Sequence, residues 1–402
     1  MRARLNFRLL VLLAALLVFA AFKISKEKRP SLLNPGLKMY AYVANAGDGT
    51  ISAVDLIALR TVAAIPVGGG PSGLRTHPTR DEIWGVSTEG GYVWVINAHS
   101  SELVAGIEVG AAPYAVEFSP DGRTAYVAAS GPSPAAGGLR TSSGMVTAID
   151  CADRRVVGQA YVGGRPWLVR ATPDGKMLVV PRRDDSTVTL LDAASLATLA
   201  TIPVAPRPEQ VVILPDSSKA FVSASADGAP GACDGSACGG RVSVVDLRRR
   251  VLLANVPLAG EASDLVLKPD GGELYVPSPG SNSLTILNTR TNEVASHLVV
   301  GSAPSHGVLS ADDQDPVLYL SDAEANHVTP IQVSYRKTGR PIAAGRHPGV
   351  CRLTPGEDLL LVANEESNNL AVIRVRRGAE VSSLITLVPV GRRPQDLVVK
   401  VF

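Results

Sequence analysis

From Met39 onward the chain runs as short apolar stretches rich in Val, Ile, Leu, Ala and Tyr, separated by clusters of Gly, Pro, Asp, Asn and Ser. No stretch after the N-terminal segment keeps a helical period, so the pattern predicts strands joined by turns. The pattern also repeats. A proline-headed turn precedes an apolar run in "HPTRDEIWGV", "SPDGRTAYVA", "TPDGKMLVVP", "LPDSSKAFVS", "KPDGGELYVP" and "TPGEDLLLVA". The sixth residue after each proline is Trp84, Tyr126, Val179, Phe221, Tyr275 or Leu361, and "AYVAN" and "VLYLS" add Tyr42 and Tyr319. The spacings are 42, 42, 53, 42, 54, 44 and 42, so two units carry insertions and the rest are regular.

Each unit holds four strand-like runs. In the first they are "MYAYVAN", "GTISAVD", "RTVAAIPV" and, after "GGGP", "SGLRTHP". Four strands in a unit of this length predict a propeller blade. The last unit stops at "PQDLVVKVF", an innermost strand without its three partners, whereas the first begins on a second strand. The two termini therefore complete one blade and leave no open edge. The expectation is an all-β, eight-bladed β-propeller with four antiparallel strands per blade over residues 39–402, closed by the N- and C-terminal strands. Seven blades is the alternative.

"AYVANAGDGTISAVDL", "IPVGGGPSGL" and "SPDGRTAYVA" resemble the YVTN-type repeat of surface-layer and YncE-like periplasmic propellers. The likeness covers the chain from about Met39 onward. It implies the fold and says little of activity, because such repeats serve many functions. Relatives of this kind usually have seven blades, and this chain has eight units. The final unit, "LLLVANEESNNLAVIRV", is also similar to the corresponding stretch of seven-bladed lactonases, without a matching catalytic set. Eight blades also occur in the haem-binding propeller of nitrite reductase and its relatives, where one axial histidine such as His306 or His347 would serve.

Composition narrows the partners. A formal net charge of +2 with 19% charged residues and 4% aromatics argues against nucleic acid and against disorder. Ahead of the propeller, Arg2, Arg4 and Arg8 precede the apolar residues 9–22, and Lys23, Lys26, Lys28 and Arg29 follow. As a helix that run spans roughly 21 Å against a hydrocarbon core of about 30 Å. Residues 1–24 therefore read as a signal peptide or an N-terminal membrane anchor, and residues 25–38 as a polar tether. A periplasmic or cell-surface location follows, with membrane contact only through that segment, and a monomer is expected. An exported chain favours a disulfide between Cys233 and Cys238 in the inserted loop "CDGSACGG", with Cys151 and Cys351 as buried thiols.

Candidate chemistry is sparse. Gly68, Gly70 and Gly73 match a dinucleotide fingerprint in spacing, but Pro71 and a following strand make them an inter-blade turn. No histidine pair has metal-ligand spacing, and no haem-attachment, nucleophile-elbow or phosphate-loop motif is present, so no cofactor is assigned. Asp55, Asn97, Asp150, Asp192, Asp246 and Asn288 end third strands and suit Asx turns. The inter-blade turns vary most. The residues before the turn proline are mostly Gly or Ala but become Arg165, Arg207, Arg346 with His347, and Arg392 with Arg393. Tyr114 and Trp167 follow their prolines, and Arg75, Arg170 and Arg352 stand four residues beyond theirs. The insertions at residues 130–144 and 223–240 fall on the same face. These bases and aromatics, with His306, predict a ligand site for a small anionic molecule or a protein at the channel mouth. The competing readings are a solvated rim whose arginines pair with Glu209, Glu261 and Asp396, and a hydrolase in which His306, Asp264 and Glu117 converge.

Overall fold

Strands whose two faces are both apolar must be covered twice, and a ring of radially stacked sheets does this. The computed structural model describes residues 38–131, 144–225, 239–312, 315–376 and 382–402. The N-terminal segment, Cys233 and Cys238, and parts of both insertions lie outside them. The described chain forms eight antiparallel sheets, blades 1 to 8 in chain order. Blade 1 takes its inner strand, Pro394–Val401, from the C-terminus, followed outward by Met39–Asn45, Thr50–Asp55 and Arg60–Pro66. The closure pairs Met39 with Val401, Tyr42 with Val398 and Ala44 with Asp396. Phe402 N–H donates to the Lys38 carbonyl at 2.9 Å and ends it. The eight-bladed expectation holds.

Side chains alternate across each strand, so each inner sheet face meets a different neighbour. Ala41 and Val43 of blade 1 pack on Leu361 and Val372 of blade 8, whereas Tyr42 and Ala44 pack on Leu74 and Trp94 of blade 2. The core is therefore a ring of inter-blade clusters. Each holds one of the residues that set the repeat: Tyr42, Trp84, Tyr126, Val179, Phe221, Tyr275, Tyr319 or Leu361, all at most 4% exposed.

The polar tips of two of these side chains find partners on the next blade. Tyr42 Oη donates to the Ala98 carbonyl at 2.7 Å and Tyr126 Oη to that of Ala193 at 2.9 Å. In two blades a carboxylate joins the clasp. Trp84 Nε1 and Arg154 of blade 3 both reach Glu82, and Tyr275 Oη and Arg336 of blade 7 both reach Glu273. Burial pushes the Glu273 carboxyl up, but hydrogen bonds from Arg336 and Tyr275 outweigh it and leave it below its ordinary value. A depressed carboxyl stabilises the fold above its unfolded pKa and loses that contribution as pH falls through the folded value. Arg336→Ala should therefore cost about 1.5 kcal/mol at neutral pH. Acid melting curves of variant and wild type should converge below the ordinary Glu range; a constant gap down to pH 3 would show that the clasp works by packing.

Local prolines account for the irregularities. The inner strands of blades 4 and 6 shrink to Arg170–Ala171 and Val266–Leu267. The facing second strands carry Pro181 and Pro277, and the Pro277 carbonyl accepts from Ser263 N–H at 3.0 Å. A residue's N–H and C=O point to the same side, so the missing proline N–H was owed to the inner strand. The outer strand of blade 7 is split into Lys337–Thr338 and Ile342–Ala343 around Gly339 and Pro341. Asp55, Asn97, Asp150, Asp192, Asp246 and Asn288 each accept backbone N–H bonds from the residues two and three positions on, as Asx turns require. The formal fingerprint is a blade junction. Gly68, Gly70 and Gly73 have φ of 82°, 62° and 60°, and a strand starts at Pro71.

Candidate functional site at the channel mouth

The inter-blade turns and the turns between second and third strands share one face, because they bond to each other. Ala46 N–H donates to the Arg393 carbonyl, Ser130 to Ala112, Arg183 to Arg165 and Glu365 to His347, at 3.0 to 3.1 Å. The residues before the turn proline are thus held by their backbones. Arg207, His347 and Arg393 have φ of 52° to 55°, but Ala112 and Ala303 share that left-handed form at the same place. The conformation belongs to the turn and not to the bases.

Inside this face is a cavity of about 610 Å³ on the channel axis. In each inner strand the third residue after the turn proline, such as Leu74, Val116, Val211 or Leu397, is buried between blades. The second residue faces the axis, and all eight blades contribute theirs to the cavity wall. Arg75, Arg170 and Arg352, four residues beyond their prolines, line it too, as do Tyr114, Trp167, Glu89 and Arg393.

Blade 2 lies midway between blades 8 and 4, which face each other. The three guanidiniums therefore occupy three of four quadrants. Arg170 donates to Glu117 at 2.8 Å, and Arg75 stands 3.9 Å from the same oxygen. Arg352 lies 3.8 Å from Asp396. Glu117, Asp264 and Asp396 offset the three guanidiniums formally, as Glu89 offsets Arg393 in the same lining, yet two of the three are engaged elsewhere. Asp396 accepts the N–H groups of Leu74 and Leu397, and Asp264 those of Leu265 and Gly307. Arg75 and Arg352 each make one hydrogen bond among the described residues, to the carbonyl just before them, and keep most of their donors unspent. Burial first, then repulsion from Arg170, pulls the Arg75 guanidinium down to about 10. It stays charged at neutral pH.

The rim bases divide. Beside blades 8 and 1, Arg346, His347, Arg392 and Arg393 line a second hollow of about 820 Å³. Glu365 draws His347 to 3.9 Å and Arg393 to 3.6 Å, Arg392 pairs with Asp48, and Arg346 reaches the Glu366 carbonyl at 3.4 Å. Beside blades 4 and 5, Arg165 lies 3.4 Å from Asp184. Arg207 is exposed and has no ion pair among the described residues. The partners differ from Glu209, Glu261 and Asp396, because the second–third turns, which supply Asp48, Asp184 and Glu365, lie closer than the inner strands. Glu209 instead holds Arg183 at 2.8 Å. Arg183 sits 5.3 Å from the Trp167 ring, which stacks on Tyr114 at 4.3 Å. Arg183 and Gln210 escaped the sequence reading; the signal for Arg183 was its place in the turn that meets Arg165.

His306 lines the cavity, and its Nδ1 is buried without a partner. Among the described residues no hydrogen bond joins it to Asp264 or Glu117, so the three do not form an acid–base set. No group of His, Cys, Asp and Glu suited to a metal ion occurs among them either. Cys151 and Cys351 are buried free thiols, each pushed up to about 12 by burial, and are unreactive at neutral pH.

No protein-family model matches the chain, and no curated protein matches it in sequence. Solved structures match it in fold. Dihydro-heme d1 dehydrogenase NirN, in complex with DHE, is similar with a TM-score of 0.67 and 16% identity over 93% of this chain and 78% of that one. Hydrazine synthase of Kuenenia stuttgartiensis gives 0.57 and 21% over 72% and 91%. A functionally unknown protein of Desulfotomaculum acetoxidans gives 0.57 and 14% over 81% and 99%. The shared feature is the fold. At these identities it carries no activity.

Proposed function

We propose that this protein is an exported propeller of the YVTN-repeat, YncE-like kind that binds a small, multiply anionic molecule at its channel mouth without transforming it. The observation that carries the reading is the convergence of Arg75, Arg170 and Arg352 on one cavity, with Arg75 and Arg352 keeping unspent donors. Guanidinium forks bind carboxylate and phosphate groups bidentately. A cavity of this volume suits a small molecule, and bases placed inside it favour a small ligand over a protein partner. Residues 1–24 carry the chain to the periplasm or cell surface. A thermal-shift series at low salt tests the reading with citrate, pyrophosphate and inorganic phosphate against glycerol. The anions should raise Tm through binding to the native state, and Arg170→Ala should reduce the rise. No rise with any anion would sink the proposal.

A haem-type tetrapyrrole is the second reading. It is favoured by His306 in the cavity and by the NirN complex, whose own name includes a haem derivative. His306 would offer the axial nitrogen, and the three arginines would meet the ring's carboxylates. A bound iron tetrapyrrole would supply redox chemistry. Haemin added to the protein should then give a sharpened Soret band that His306→Ala removes; an unshifted band in the wild type excludes this reading.

A further inference from the structure

The cavity is polar in two different ways on its two sides, and this constrains the ligand beyond its charge. Blades 8, 2 and 4 present the guanidiniums. Blades 5, 6 and 7 present Gln210, Asp264 and His306 at the same height on the wall, with Asp264 of blade 6 facing the Arg75 blade. Deeper on that side, where blades 2, 4 and 8 place arginine, stand Val212, Val266 and Val308, which pack on the neighbouring clusters. Among the described residues no cation stands at either of these positions in blades 5, 6 and 7.

Asp264 on it is purely an acceptor, and Gln210 offers an acceptor oxygen beside its N–H donors. Each Asp264 oxygen takes one backbone N–H, from Leu265 at 2.8 Å and Gly307 at 3.1 Å, and a carboxylate oxygen has a second lone pair to offer. Gln210 N–H bonds Ser223 Oγ, while its side-chain amide has no hydrogen bond among the described residues. A ligand with a bare hydrocarbon end would strip water from these groups and return nothing. Desolvated, unpaired polar groups are what penalise the wrong ligand most strongly.

We infer, building on the anion-binding reading above, that the ligand carries hydrogen-bond donors, hydroxyl or ammonium, at the end opposite its anionic groups. The anionic end lies between Arg75 and Arg170 or on Arg352. The donor end meets Asp264 and Gln210.

Two matched pairs test this by calorimetry at low salt: myo-inositol 1-phosphate against cyclohexyl phosphate, and phosphoethanolamine against propyl phosphate. Within at least one pair the donor-bearing member should bind tenfold or more tightly, and the pair that shows the gap tells hydroxyl from ammonium. Gln210→Leu should shrink that gap, weakening the donor-bearing member and strengthening the other, whose hydrocarbon end no longer desolvates an amide. Asp264→Asn should do the same, but Asp264 also clasps blade 7, so Gln210→Leu is the variant that keeps the test independent of folding. Equal affinity within both pairs overturns this inference and leaves the anion site standing. No binding by any of the four overturns both.

Discussion

Removal of residues 395–402 should abolish cooperative folding. These residues are the inner strand of blade 1, and Met39–Asn45 pairs with them along its length. The deletion exposes the faces that bury Leu397 and Val398, which are 0% and 9% exposed. It also removes Asp396, which holds Leu74 N–H of blade 2 at 2.9 Å. Burial of the two apolar side chains and loss of the strand ladder together amount to roughly 8 kcal/mol. That rivals the whole stability of a typical domain, about 5–15 kcal/mol. The truncated chain should show no single melting transition, whereas Leu397→Ala should stay folded and lose about 2–5 kcal/mol. A truncated protein that melts within a few degrees of the full chain would mean that the ring does not depend on this closure.

The repeat made most of this fold legible. Residues such as Trp84 and Tyr275 recur because every blade interface needs one bulky side chain at one place, so their spacing counts the blades. The incomplete first and last units revealed the closure for the same reason. What stayed hidden depends on contacts between units. Pro181 and Pro277 shorten two inner strands by withholding a single N–H, and their effect emerges only once the facing strand is known. The site was legible in its parts and not in its assembly. Arg75, Arg170 and Arg352 stand out by position in the sequence. That Glu117 bridges two of them, and that Asp264 and Asp396 are occupied by backbone N–H groups of the next blade, follows from the ring geometry. The rim bases looked like the main cluster, yet most of them pair with the turns beside them.

Arg170 and Glu117 should act on binding with opposite signs. Arg170→Ala removes one arm of the clamp and leaves Glu117 facing the incoming anion, so affinity for citrate should fall by about ten- to a hundredfold, or roughly 1.5–3 kcal/mol. Glu117→Gln removes the carboxylate that now occupies the space between Arg75 and Arg170 and should strengthen binding by about fivefold. Both changes should matter less at high salt, with the part-buried pair screened less than the exposed rim. Loss of binding in both variants would indicate that Glu117 shapes the wall and does not compete with the ligand.

The most direct measurement is a calorimetric titration of citrate into wild type, into the double variant Arg75→Ala, Arg352→Ala, and into Arg207→Gly. Arg207→Gly removes a rim charge that has no ion pair among the described residues, at a left-handed position that glycine adopts freely. The account predicts saturable one-to-one binding in the wild type, a loss of at least a hundredfold in the channel double variant, and near-wild-type affinity in Arg207→Gly. Equal affinity in the wild type and the double variant, or a larger loss at the rim than in the channel, would contradict it.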